Sequence, residues 1–206
     1  MKSSHRFYKG CYRVARVVLG LFYGLKAHGT ERIPQGPYIA CANHSSILDP
    51  FFLAFAFGLS NHMHIIAKAE LYKVPVISAI MRKLGTIRVD RGIPDINSVK
   101  ETLSYLNKGE KVAIFPEGTR TPVENAVAAK SGAVKIAQRA NVPVIPVFIP
   151  RKKPLFRKIH IVIGEPYYVE THNGKRSSEE YIRLADVLMN KIEALNPIQE
   201  LHEENS

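Results

Sequence analysis

From position 38 onward the chain alternates between short apolar runs and longer amphipathic ones. YIACA (38–42), HIIAK (64–68), IRV (87–89), KVAIF (111–115), VPVIPVFI (142–149) and HIVIG (160–164) have the length and residue types of strands. Between them, DPFFLAFAFGL (49–59), VPVISAIMRKL (74–84), DINSVKETLSYLNKG (95–109) and SGAVKIAQRA (131–140) read as helices. Gly85 stands where the second helix needs a left-handed stop. Asn97 is read as the cap of the third, whose Val99, Leu103 and Leu106 share a face. A last helix opens on the capping box Ser177 to Glu180 and aligns Tyr181, Leu184, Leu188, Ile192 and Leu195 on one stripe. The alternation predicts an α/β fold, a mixed sheet covered by helices. Pro143 and Pro146 cannot donate to a ladder, so the strand at 142–149 is expected at an edge or beside a pocket.

The first 28 residues follow a different pattern. On a helical wheel Tyr8, Cys11, Tyr12, Ala15, Leu19 and Phe22 gather on one side, and Lys2, Arg6, Lys9, Arg13 and Arg16 on the other. A basic amphipathic helix of this kind lies in a membrane interface, its oily side among acyl chains and its cations at anionic head groups. A helix packed on its own domain with a solvated basic face has the same period. The oily run VVLGLFYGL (17–25) is too short to cross a bilayer, since nine helical residues span about 14 Å against about 30 Å of hydrocarbon. The expected division is a basic amphipathic membrane-surface segment, 1–28, and a globular domain, 29–206, of a size for one core.

Charge sharpens this picture. Lysine and arginine number 29 against 18 acids, a net charge of +11 that calls for an acidic partner. The cations are scattered, with no recognition-helix or RNP-like aromatic pattern, so nucleic acid is not expected. The two cysteines, Cys11 and Cys41, form no disulfide framework or zinc spacing and read as reduced thiols. His62 and His64 share one side of a strand without a third placed ligand, so no metal site is expected.

The candidate chemistry lies in CANHSSILDPFF (41–52). On one continuous helix, five positions would turn Asp49 about 140° from His44, so a turn must bring the two together. Asp followed by Pro is a helix-opening pair, which makes Asp49 the expected N-cap and puts His44 in the loop before it. A carboxylate bonded to one imidazole nitrogen fixes the tautomer and leaves the other nitrogen as a base. No G-x-S-x-G elbow accompanies the pair, which favours a substrate that brings its own hydroxyl over an enzyme-bound ester on Ser45 or Ser46. FPEGTR (115–120) then ends a strand in a turn, where ligands bind on α/β sheets. Arg120 suits bidentate phosphate recognition and Gly118 permits close backbone approach. GTIRVDR (85–91) adds Arg88 and Arg91, and the combination favours an anionic substrate.

These blocks resemble the glycerolipid acyltransferases, specifically the 1-acyl-sn-glycerol-3-phosphate acyltransferase family. NHSSILD is similar to its N-H-x4-D block, GTIRVDR to its G-x5-R block, FPEGTR to its E-G-T-R block and VPVIPV to its proline-containing fourth block. All four stand in the family's order across roughly residues 30 to 165. The resemblance implies acyl transfer to the 2-hydroxyl of lysophosphatidic acid, from acyl carrier protein or coenzyme A as co-substrate and with no cofactor. It implies His44 as general base, Asp49 as its orienter, and an acceptor site of Arg88 or Arg91 with Glu117, Gly118, Thr119 and Arg120. It places the protein on the cytoplasmic face of the cell membrane, peripheral or monotopic. Another lysophospholipid or glycerol 3-phosphate as acceptor remains open within that family. A non-catalytic protein binding anionic membranes or nucleic acid remains open outside it.

Overall fold

A computed structural model describes residues 2–90, 95–121, 128–170 and 176–197. Seven strands, β1 (Gly24–His28), β2 (Ile39–Ala42), β3 (Met63–Lys68), β4 (Ile87–Val89), β5 (Lys111–Ile114), β6 (Val144–Phe148) and β7 (Lys158–Ile163), form one sheet in the order β1-β7-β6-β2-β5-β3-β4. β6, β2, β5, β3 and β4 are parallel, β7 joins β6 antiparallel, and β1 runs parallel to β7. The sheet is therefore mixed.

Helices α1 (Lys2–Gly20), α2 (Asp49–Phe57), α3 (Pro75–Leu84), α4 (Ile96–Asn107), α5 (Gly132–Ala140) and α6 (Ser178–Glu193) surround it. Alternate strand residues divide between two cores. Ile39, Cys41, Val112, Ile114 and Val144 meet α4, α5 and α6 through Leu106, Val134, Ala137, Leu188 and Ile192. Ala40, Ala42, Ala113, Ile145 and Val147 face Phe52, Leu53 and Phe55 of α2, with Tyr12, Ala15 and Leu19 of α1 packed against them. β2 is covered on both faces, so all four of its residues are buried and its sequence shows no polar alternation.

Four sequence expectations change. The apolar run 17–25 is not one helix, because α1 stops at Gly20 and Gly24–His28 become an edge strand registered on Lys158–Val162. Residues grouped in sequence with the surface segment thus belong to the sheet. The oily stripe of α1 turns inward: Tyr12 meets Phe55 edge-on at 5.2 Å and Tyr8 lies 4.0 Å from His62. The cap of α4 is Asp95, which accepts from Ser98 N–H at 3.0 Å; the helix begins one residue before Asn97.

The fourth change is to one of the two places expected for β6: the edge is excluded, because the strand lies inside the sheet between β2 and β7. A strand residue directs its N–H and C=O to the same side, and Pro146 C=O accepts Gly164 N–H at 2.9 Å, on the β7 side. The missing donor therefore falls beyond β7, whose pairing with β6 covers only Val147↔Ile163 and Phe148↔Val162. A Cβ on Gly164 would come within 2.9 Å of the Pro146 ring, so glycine there makes room for the proline. His64 Nδ1 donates to Gly85 C=O at 2.7 Å and its ring stacks on Tyr105, which ties β3 to the stop of α3.

Candidate active site

Three neighbouring parallel strands, β6, β2 and β5, end together at one edge of the sheet, and the loops that leave them interlock. Asn43 closes β2. It is fully buried, donates from Nδ2 to Ile149 C=O at 2.7 Å and accepts Ile149 N–H on Oδ1 at 2.8 Å, extending the β2–β6 pairing with a side chain. This clamp holds the next residue, His44, at the end of the central strand.

His44 and Asp49 are brought together as their spacing requires. Nδ1 lies 2.9 Å from Asp49 Oδ2, and that same oxygen accepts the N–H groups of Ser45 at 2.6 Å and Ser46 at 2.7 Å. The loop thus folds its backbone donors around the carboxylate as an anion nest. Asp49 is the first residue of α2 but does not cap it: its oxygen turns back onto the loop, and Leu48 takes the N-cap position without a side-chain bond. Lys153 Nζ, from the segment after β6, stands 2.8 Å from Asp49 Oδ1 and donates to Ser45 Oγ at 2.8 Å.

Burial alone would push the Asp49 carboxyl up. The hydrogen bond to His44, the charge and hydrogen bond of Lys153 and the Ser46 N–H outweigh it and hold the group below its ordinary range. An ionised Asp49 beside Nδ1 keeps the proton on that nitrogen, which leaves the lone pair on Nε2. The imidazole is stacked on Phe115, centroids 4.3 Å apart, and its side chain is 12% exposed.

FPEGTR forms the next wall. Gly118 N–H bonds Phe115 C=O at 3.0 Å to close a turn, and Gly118 adopts φ +67°, where a Cβ would also strike the stem of Lys130. Glu117 differs from the expectation of a substrate-facing residue. It is 2% exposed, and its oxygens accept His44 N–H at 3.2 Å, the Thr121 hydroxyl, and Arg151 at 2.8 Å. Arg151 also pairs with Glu193 of α6 and bonds Thr121 C=O at 2.7 Å, so a buried carboxylate–guanidinium–carboxylate chain supports the loop from behind. Thr121 N–H completes the lock on His44 C=O at 2.7 Å.

Thr119 and Arg120 are exposed beside this wall. Arg88 stands on edge strand β4, exposed, with Asp90 at 3.5 Å. Three strand spacings separate β4 from β2, about 14 Å, so Arg88 is not in the His44–Asp49 cluster. Arg91 lies outside the described residues. Asn43, Thr121, Arg151, Lys153 and Glu193 were not expected from sequence. Arg151 and Lys153 belong to a basic run, Arg151-Lys152-Lys153, that reads as solvated surface charge until the strand order is known.

The geometry can be set beside known proteins. Residues 24–150 match the family described as Acyltransferase. This chain belongs to that acyltransferase family. It is 34% identical over 195 residues to the 1-acyl-sn-glycerol-3-phosphate acyltransferase of Bacillus subtilis, covering 91% of this chain and 96% of that one. It is 31% identical over 201 residues to the enzyme of the same name from Pseudomonas aeruginosa, covering 91% and 75%. The crystal structure of the 1-acyl-sn-glycerophosphate (LPA) acyltransferase PlsC from Thermotoga maritima superposes with a TM-score of 0.65 at 28% identity, over 95% of this chain and 79% of that one. The acyltransferase match opens with β1, leaving α1 outside it, and closes one residue before Arg151. Both supporting cations of the site, Arg151 and Lys153, therefore lie just past the family's matched span.

Proposed function

We propose that this chain transfers a fatty acyl group from a thioester to the 2-hydroxyl of 1-acyl-sn-glycerol 3-phosphate, yielding phosphatidic acid. The observation that carries the reading is His44 Nδ1 on an Asp49 carboxylate whose other oxygen is covered by Lys153. The names of the relatives supply the acceptor.

In the reaction, His44 Nε2 takes the proton of the acceptor hydroxyl as its oxygen attacks the thioester carbonyl. The tetrahedral intermediate collapses, the C–S bond breaks, and the imidazolium returns the proton to the leaving thiolate. A positioned base of this kind contributes about 100- to 10,000-fold. Asp49 holds the tautomer and balances the imidazolium. Arg120, with Arg88 or Arg91, binds the acceptor phosphate; Gly118 and Thr119 line its approach, and Glu117 serves by holding the His44 loop. The thioester is carried by acyl carrier protein or coenzyme A, and the net charge of +11 suits either acidic donor. α1 contributes the membrane contact through the flank that its packing on the domain leaves exposed, Val14, Val17 and Val18, at the cytoplasmic face of the cell membrane. Among the described residues no helix is long and apolar enough to cross a bilayer.

The test is phosphatidate formation from labelled lysophosphatidate in vesicles, with the two thioesters offered separately, for wild type and His44→Ala. Product from wild type that disappears in the variant is expected and also identifies the donor. Product formed equally by His44→Ala removes the proposed base.

A further inference from the structure

α3 is an amphipathic helix that leaves several of its apolar residues uncovered. Of its ten residues only Ser78 is buried. Val76 is 70% exposed, Ile80 41% and Ile77 39%, and Val74 and Leu71 just before the helix are 46% and 40% exposed. An exposed apolar patch of this kind marks an interaction site.

Charge, continuity and position define what covers it. The first is charge: α1 and α3 together contain no carboxylate, while Lys9, Arg13, Arg16, Lys73, Arg82 and Lys83 lie along them and the turn before α3. The one acid in 69–84, Glu70, is 3.1 Å from Lys68. The second is continuity. α3 packs beside α1, with Lys83 Nζ 5.2 Å from the Phe7 ring, and Val14 and Val18 follow Phe7 along the same flank of α1, at i+7 and i+11. Those valines are 65% and 49% exposed, so the apolar flank of α1 continues the exposed side of α3. The third is position: α3 starts just after β3, which is parallel to β2, so Leu71, Val74 and Val76 lie at the sheet edge that carries His44.

We propose that residues 69–84, the turn Ala69–Lys73 with α3, are a second membrane-seated element that enters an anionic bilayer beside α1. An apolar face rimmed by cations fits an anionic lipid surface, with side chains among acyl chains and ammonium groups at phosphates. A second copy of the chain fits it poorly, because a two-fold contact would set these cations against their equivalents. The proposal rests on the reading of the site as one that works at a lipid surface, and it makes α3 part of the rim over which the acceptor leaves the leaflet.

The chain has no tryptophan, so Val76→Trp installs a single reporter in α3, with Ile96→Trp on α4 as the control. Ile96 is 64% exposed and belongs to a helix on the other face of the sheet. With full-length protein and phosphatidylglycerol vesicles, the Val76→Trp emission is expected to shift to the blue and to be quenched by brominated acyl chains, while that of Ile96→Trp stays put. Val76→Asp with Ile80→Asp should reduce partitioning onto those vesicles at least tenfold, with circular dichroism and melting temperature as in wild type. Wild type that ignores anionic vesicles overturns the lipid-surface reading and this inference with it. Wild type that binds while the Val76→Trp emission is unmoved overturns the α3 assignment alone, even if the aspartate variant fails to fold. A dimer that the aspartate pair dissociates, with vesicle binding unchanged, overturns it in favour of a second copy.

Discussion

Lys153 Nζ stands 2.8 Å from Oδ1 of Asp49, while the other oxygen of that carboxylate meets His44 Nδ1 at 2.9 Å. The carboxylate is fully buried, so each cationic or N–H partner counts toward keeping it ionised. Lys153→Met keeps the stem and removes the charge. Asp49 is then expected to protonate more readily, and the acid limb of the kcat/KM profile should move to higher pH. Loss of a hydrogen bond to a charged group, about 1.5–3 kcal/mol, corresponds to a turnover lower by roughly 10- to 100-fold. An unmoved acid limb in the pH profile would separate Lys153 from the dyad.

Asp49 also links stability to pH. Its folded value lies below the ordinary 3.8, so the stability it contributes is fully present above that value and is lost as pH falls through the folded one. Asp49→Asn removes the titrating group, and the melting temperature of the variant should fall less steeply than that of wild type as pH drops below about 4. Turnover at neutral pH should drop by about 10,000-fold, the scale seen when a base loses the acceptor that fixes its tautomer. Melting curves across pH and single-turnover rates check the two halves separately. A parallel loss of stability with acid in both proteins would assign that loss to other carboxylates.

The fold was legible where one face of an element is polar. α6 declared itself through Ser177 and Glu180, and both reciprocal bonds of the capping box form. β1 was not legible, because Gly24–His28 follow an oily helix directly and pair with residues more than a hundred positions later. The same applies to the site. His44 and Asp49 could be paired because five residues and an Asp-Pro turn constrain them locally. Lys153 and Arg151 meet the site only through the β6–β2 adjacency, which local pattern does not encode. The wheel for α1 found a real stripe but not its partner, since a stripe that faces α2 and one that faces lipid have one period.

Glu117 tests whether a motif carboxylate binds substrate or builds the loop. Its two oxygens accept from His44 N–H, Thr121 and Arg151, and the side chain is 3% exposed. Glu117→Gln leaves one acceptor oxygen and an Arg151 with less negative charge beside it. The fold should lose about 3 kcal/mol, as for a broken buried pair. Denaturant melts measure that loss. Because the His44 loop loosens, kcat should fall while the acceptor KM changes little; a raised KM with normal kcat and stability would return Glu117 to the substrate.

Arg120 is the contrasting case, an exposed cation on the same loop. A side chain that binds the phosphate equally in the ground and transition states raises KM without changing kcat when it is removed. Arg120→Ala is expected to raise the lysophosphatidate KM roughly 10- to 100-fold, the equivalent of about 1.5–3 kcal/mol for a charge-assisted contact. The melting temperature should stay at the wild-type value. Monoacylglycerol, which has the hydroxyl and the chain but no phosphate, supplies the control: wild type and Arg120→Ala should use it equally poorly. Arg88→Ala, three strands from His44, measures the contribution of the sheet edge in the same assay. An Arg120→Ala enzyme whose lysophosphatidate saturation curve matches wild type would move the phosphate contact from the loop after β5 to the segment after β4.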